Sequence, residues 1–321
     1  DLLRKHQFLI IMKWIFFLFF FLFALSLHAA LQEEAVSLNT PTGTIYGRLI
    51  LPDDKASFSV VALLIAGSGP TDMDGNTTMG NIKNNSLKYL AEGLAENGIP
   101  SLRFDKRGVA SSAAAGLQES ELRFEHYIAD AKGWIDFLSA DKRFTGVVVI
   151  GHSEGALIGL MACRNNPKVK GYVSLAGAGR PADEIIEAQV AAQMTPEAVQ
   201  KQVADINASL KEGREVTDVP IYLQTLFRPS VQPYLISWYR YDPQKLIVQG
   251  QTDIQVSVQD AQRLKHADSR AELLLIDGMN HVLKVCNSMN PQEQMKVYAD
   301  PSLPLAEGLV DALSRFIRKL S

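Results

Sequence analysis

Short apolar runs and longer amphipathic stretches alternate along most of this chain. Val60 to Ala66, Ile99 to Phe104, Val147 to Ile150, Lys170 to Leu175, Lys245 to Gly250 and the run Glu272-Leu273-Leu274-Leu275-Ile276 are each brief and mostly apolar or β-branched, the signature of strands buried on both faces. Between them, Asn85 to Asn97 and about Glu125 to Leu138 carry apolar residues at helical spacing, the first stopped by Gly98. Val36 to Asn39 and Thr44 to Leu51, joined through Pro41-Thr42-Gly43, read as an antiparallel opening hairpin. Strands alternating with helices predict a mostly parallel central sheet with helices on both faces.

The alternation stops between about residues 180 and 242. That stretch is rich in Ala, Gln and Glu at helical spacing and then aromatic, with Tyr222, Phe227, Tyr234, Trp238, Tyr239 and Tyr241. It predicts a helical insertion rather than further sheet. Some of its aromatics are expected to line a pocket, and most to pack the insertion onto the body beneath.

One strand-to-helix junction carries chemistry. Gly151-His152-Ser153-Glu154-Gly155 follows the strand ending at Ile150 and precedes the helical run Ala156-Leu157-Ile158-Gly159-Leu160-Met161-Ala162-Cys163. A serine at such a turn, with glycine two residues away on each side, is the G-x-S-x-G nucleophile elbow. Its backbone is strained, and the flanking positions must be small where strand and helix crowd together. A serine nucleophile needs a base, and the base needs an orienting carboxylate. Two histidines lie well downstream, His266 and His281. His266 sits in a polar helical stretch and reads as a solvated residue. His281, in Asp277-Gly278-Met279-Asn280-His281, lies in a loop leaving the carboxyl end of a strand, where reactive groups gather in open α/β sheets. Asp253 likewise follows Lys245 to Gly250 and is the candidate acid. Asp277 is its rival, too close to His281 along a tight loop to face the imidazole well.

On these residues the chain resembles the α/β-hydrolase superfamily. Within it, the chain is similar to bacterial secreted or periplasmic carboxylesterases related to the dienelactone-hydrolase and serine-aminopeptidase-like groups. Three further segments carry the likeness: Leu63 to Asn76, with Gly67-Ser68-Gly69-Pro70 at its turn; Ser101-Leu102-Arg103-Phe104-Asp105-Lys106-Arg107-Gly108; and Gly250-Gln251-Thr252-Asp253. The likeness spans roughly residues 35 to 321 and departs at Ala110, where relatives carry glycine. It implies an α/β-hydrolase fold with a helical cap over about 180–242. It also implies an oxyanion hole built from the backbone N–H groups of Ser68 and Glu154, and hydrolysis of a small-molecule carboxylic ester of short to medium acyl chain through an acyl-enzyme on Ser153. Peptidase or thioesterase chemistry with the same three residues, or a catalytically silent binding protein of this fold, is the alternative.

No cofactor is expected. No metal is expected either: Asp72-Met73-Asp74 lacks the rest of an EF-hand loop, and neither cysteine has zinc-ligand spacing. There is no G-x-x-x-x-G-K-[ST] phosphate cradle. A net charge of −3 argues against a nucleic-acid partner. Cys163 and Cys286, the two cysteines, read as free thiols in preference to a pair. At the amino terminus, Met12-Lys13 precedes an almost unbroken apolar run of 14 residues from Trp14 to Leu27 and the small-residue region His28-Ala29-Ala30. This is the layout of a secretory signal peptide, shorter than the roughly 20 apolar residues of a transmembrane helix. Residues 1–30 are therefore expected to be a leader, with 1–11 as upstream read-through. Periplasmic or secreted localisation follows, with membrane contact only through an uncleaved leader. The remaining stretch of about 290 residues fits one large α/β domain.

Overall fold

In the computed structural model, eight strands form one sheet in the order β1-β2-β4-β3-β5-β6-β7-β8. The structure describes residues 31–52, 57–77, 82–241, 247–267 and 271–320; the leader, Lys245 and Leu246 lie outside them. Strands β1 (Gln32–Thr40) and β2 (Gly43–Leu51) form the opening hairpin, closed by the Thr40↔Gly43 pair. β2 is antiparallel to both neighbours, and every other pairing from β4 (Ser101–Phe104) through β3 (Val61–Ile65), β5 (Val147–His152), β6 (Val169–Leu175), β7 (Ile247–Gly250) and β8 (Leu273–Ile276) is parallel.

The period-2 rule explains why the central strands read as continuous apolar runs. In β3, Val61, Leu63 and Ile65 enter one core while Ala62 and Leu64 enter the other; in β5, Val147 and Val149 part from Val148 and Ile150 in the same way. Helices α1 (Ser86–Glu96) and α10 (Leu309–Arg318) cover one face, the latter through Leu309, Leu313 and Ile317 at i, i+4, i+8. Helices α2 (Phe124–Ala140) and α3 (Glu154–Cys163) cover the other. Gly98, at φ +77°, ends α1 as expected of a helix-stop glycine.

Between β6 and β7 run α4 (Ala182–Ala192), α5 (Glu197–Lys211), the short α6 (Gln224–Phe227) and α7 (Gln232–Trp238). Helices α8 (Val258–Ala267) and α9 (Pro291–Tyr298) follow β7 and β8. The aromatics of the insertion mostly pack it down. Phe227, Tyr234 and Tyr239 are buried, and Phe124 of α2 stacks on Trp238 at 5.9 Å and tilts against Tyr241 at 5.3 Å. Tyr222 stays exposed.

Both thiols are free. Cys163, at the end of α3, packs against the core, and burial pushes its pKa up to about 12, which keeps it an inert thiol. Among the described residues no helix is long and apolar enough to cross a membrane.

Candidate active site

Ser153 sits between β5 and α3 with φ 54° and ψ −121°, a strained conformation for a residue with a Cβ. The chain tolerates it because the turn is locked on every side. Ser153 N–H donates to the Leu175 carbonyl at 2.9 Å, and its own carbonyl accepts from Ala156 N–H at 3.0 Å. A Cβ on Gly151 would stand 2.1 Å from the Gly155 carbonyl oxygen, and one on Gly155 would stand 2.4 Å from the Ile65 carbonyl oxygen. Both glycines are therefore fixed by the approach of α3 to β5 and β3. Ser153 itself is half-buried.

The acid and the base leave adjacent strands, Asp253 after β7 and His281 after β8. Backbone bonds zip the two loops together: Gln251 N–H to the Ile276 carbonyl at 3.0 Å and Thr252 N–H to the Met279 carbonyl at 3.1 Å. Asp253 Oδ2 lies 2.8 Å from His281 Nδ1, with both side chains buried. Asp253 Oδ1 accepts from the N–H groups of Gln255 at 2.8 Å and Val256 at 3.0 Å. A carboxylate pinned by two amides presents its other oxygen in one direction, which sets the imidazole orientation. The rival Asp277 is exposed, as is His266 on α8.

His152, between the elbow glycine and Ser153, is a participant that sequence reasoning passed over. Its ring lies 4.9 Å from that of His281, and Nε2 is 2.7 Å from the His281 carbonyl oxygen, so Nε2 carries a hydrogen and donates. Burial, with the nearby His281, holds its pKa down at about 4. A neutral imidazole thus braces the backbone of the candidate base.

The loop after β3 passes directly over the elbow. A Cβ on Gly67 would meet Ser153 Cβ at 3.1 Å, so this glycine is what lets the loop approach the serine. Ser68 follows and is exposed. Further along, Asp72 Oδ1 accepts from the N–H groups of Asp74 at 2.9 Å and Asn76 at 2.8 Å, and Asp74 pairs with Arg103 at 2.8 Å. The acidic pair is engaged in shaping its own loop. Asp105 holds the same loop through Met73 N–H at 2.7 Å and holds Ser111 N–H at 3.0 Å. Ala110 lies between these anchors at φ +42°, keeping the left-handed turn of a glycine despite its Cβ.

Two buried ion pairs lie beneath. Arg107 grips Asp130 through Nε at 2.7 Å and Nη2 at 2.5 Å, and reaches Thr42 Oγ1 at 2.8 Å, joining β4, α2 and the opening hairpin. Lys106 Nζ lies 2.5 Å from the Gly67 carbonyl oxygen and 3.2 Å from Glu154 Oε2. Glu154 Oε1 accepts the Tyr234 hydroxyl at 2.5 Å. A glutamate in an otherwise apolar helix start is a sequence signal for such a partner, because a buried carboxylate cannot be left unpaired. Among the described residues, no cluster of His, Cys, Asp and Glu has the arrangement of a metal site.

The family model described as serine aminopeptidase, S33, matches residues 83–272. No curated protein matches the chain. Among solved structures, it is similar to Est1E from Butyrivibrio proteoclasticus at 14% identity and a TM-score of 0.55, covering 89% of this chain and 98% of that one. It is similar to an esterase of Pyrococcus furiosus at 15% identity and a TM-score of 0.53, covering 90% and 93% of the two chains. A hypothetical protein from Pseudomonas aeruginosa matches at 14% identity and a TM-score of 0.59, covering 91% and 95%. At these identities the likeness is one of fold.

Proposed function

Because the chain belongs to the serine aminopeptidase S33 family of α/β hydrolases, we propose that it is a serine carboxylesterase acting through an acyl-enzyme. The observation that carries this reading is the 2.8 Å contact between His281 Nδ1 and a doubly anchored Asp253, with His281 packed against His152, the residue before the strained serine. In this mechanism Ser153 Oγ attacks the ester carbonyl carbon as His281 Nε2 takes its proton. Asp253 holds the tautomer with hydrogen on Nδ1 and stabilises the imidazolium. The N–H groups of Ser68 and Glu154 receive the oxyanion. Collapse expels the alcohol, which takes the proton from His281. Water then attacks the acyl-enzyme by the same route, releasing the carboxylic acid and regenerating Ser153. No step calls for a cofactor.

The helices between β6 and β7 serve as the cap in this reading. Tyr234, Trp238 and Tyr241 are spent on packing against α2, which supports a shallow site and acyl groups of about two to six carbons. The esterases among the structural relatives support an ester as substrate, and the family description supports aminoacyl amides as the second reading, since the three residues do not encode the leaving group. A panel of p-nitrophenyl esters of two to sixteen carbons, run beside aminoacyl p-nitroanilides, separates the two. Turnover greatest on short esters is expected. A maximum on amides or on palmitoyl esters would overturn the ester or the chain-length assignment. A fluorophosphonate that failed to label the chain would favour a silent binding protein. The leader pattern at Met12 to Ala30 supports a periplasmic or secreted location; retention of residues 1–30 on cytoplasmic protein would refute it.

A further inference from the structure

Lys106 is 1% exposed, yet its ammonium is not part of the reaction just described. It touches three things: the Gly67 carbonyl oxygen at 2.5 Å, Glu154 Oε2 at 3.2 Å and the face of Tyr127, 5.0 Å from the ring centroid. The first is the carbonyl of the peptide that carries the Ser68 N–H, and the second is the side chain of Glu154, whose backbone N–H is the other candidate donor. Resting on the reading that Ser68 and Glu154 supply its N–H donors, we propose that Lys106 is a positioning residue that orients both of them for the developing oxyanion.

The argument begins with the peptide between Gly67 and Ser68, which is trans, as are all the described peptide bonds. In a trans peptide the carbonyl and the following N–H point in opposite directions. Holding the Gly67 oxygen on a buried ammonium therefore turns the Ser68 N–H away from the interior, toward the open side of the loop. Gly69, at φ +69°, and Gly67 leave that loop little stiffness of its own, so without an anchor the peptide plane is free to rotate. The ammonium also polarises the peptide: drawing electron density onto the carbonyl oxygen strengthens the N–H at the other end as a donor.

The same ammonium holds the side chain of Glu154, the first residue of α3, whose backbone N–H is the other donor. One buried cation thus fixes the spacing between a loop and a helix start that meet only in the folded protein. Its charge is offset by the Glu154 carboxylate, so its main action is on geometry and not on net field. Stability alone does not explain the pair, because buried ion pairs are commonly no more stable than apolar side chains of the same volume.

The test is the full chain carrying Lys106→Met, assayed on a short p-nitrophenyl ester. Loss of a single oxyanion donor lowers kcat by about 10²–10³, and a misaimed donor is expected to cost about 10²-fold in kcat with KM within about threefold of the parent. The inhibition constant of a trifluoromethyl ketone, whose adduct with Ser153 carries the oxyanion, should rise in step with the loss in kcat/KM, while binding of the unreactive methyl ketone stays unchanged. Lys106→Arg, which keeps the cation, should recover part of kcat. The double variant Lys106→Met with Glu154→Gln removes the stranded carboxylate and should regain thermal stability without regaining kcat. The proposal fails if Lys106→Met keeps kcat/KM within threefold of the parent, or if the double variant restores kcat along with stability. It fails together with the proposed function if the parent itself hydrolyses no ester and binds no trifluoromethyl ketone; an active parent with an equally active variant overturns the role of Lys106 alone.

Discussion

Tyr234, on the last helix of the insertion, donates its hydroxyl hydrogen to Glu154, the residue after the candidate nucleophile, at 2.5 Å. Eighty positions separate the two in sequence. Both are buried, and burial raises the Tyr234 pKa well above its ordinary value, so the phenol remains the donor at any working pH. Tyr234→Phe removes a hydrogen bond to a buried charge and should cost about 1.5–3 kcal/mol. A lowered urea midpoint at unchanged m-value would report it; an unchanged midpoint would mean that water takes over the contact.

Ser153→Ala should fold as the parent does, since one small side chain replaces another at a turn set by its glycines. Ester turnover should drop by several orders of magnitude. Activity within tenfold of the parent would remove Ser153 from the mechanism.

Asp253→Asn should lower kcat by about 10⁴ by favouring the wrong imidazole tautomer. Asp277→Asn, at an exposed position, should change kcat little. Steady-state rates of the two variants decide between the two aspartates, and a reversal would make Asp277 the orienting acid.

Acid should weaken this fold through His152. Burial depresses its pKa from 6.5 to about 4, so the unfolded chain binds a proton there that the folded chain refuses. The contribution to stability is whole above pH 6.5 and is lost as pH falls through about 4, worth about 3 kcal/mol in all. Calorimetric Tm should decline across that window. In His152→Gln, whose amide can still donate to the His281 carbonyl, the decline should be shallower, and identical slopes for the two proteins would refute the assignment.

Gly155→Ala should cost about 3 kcal/mol or more, because its methyl would stand 2.4 Å from one backbone carbonyl oxygen of the β3 end and 2.5 Å from the next, and neither can move without the sheet. Gly69→Ala meets nothing within 4 Å and pays only for its φ of +69°, about 1–2 kcal/mol. Denaturation midpoints that fail to separate the two would mean the elbow is more pliable than its packing indicates.

The parts of this molecule that sequence made legible are those with local grammar. The alternation of β3 and β5 between two cores follows from period 2, and the glycines around Ser153 follow from the crowding of a strand-to-helix turn. Asp253 and His281 were recognisable because each leaves the carboxyl end of a short apolar strand. What stayed hidden depends on partners far apart in the chain. Glu154 finds Lys106 across 48 positions, and Arg107 finds Asp130 across 23. No spacing rule links them, although charged residues inside apolar surroundings were a hint that partners existed. His152 was invisible for another reason: its contact is with the His281 backbone, which has no side-chain signature. The aromatics of the insertion were legible as a group, and only packing shows that Phe227 and Tyr239 are interior while Tyr222 faces solvent.

The insertion leaves the sheet after β6 and returns at β7, and these strands lie side by side, with Ser174 opposite Ile247 and Leu175 opposite Val248. Just past the exit, Arg180 is clamped to Asp260 on α8 at 2.8 Å and 3.0 Å. The excursion therefore begins and ends at one spot on the sheet. Such a segment is an exchangeable module. A lineage could swap or trim these helices, and so change the surroundings of the candidate site, while the strand ends bearing Ser153, Asp253 and His281 keep their register. Tyr234 is where that freedom is taxed, since any replacement must still offer a donor to Glu154 or release the buried carboxylate from its post.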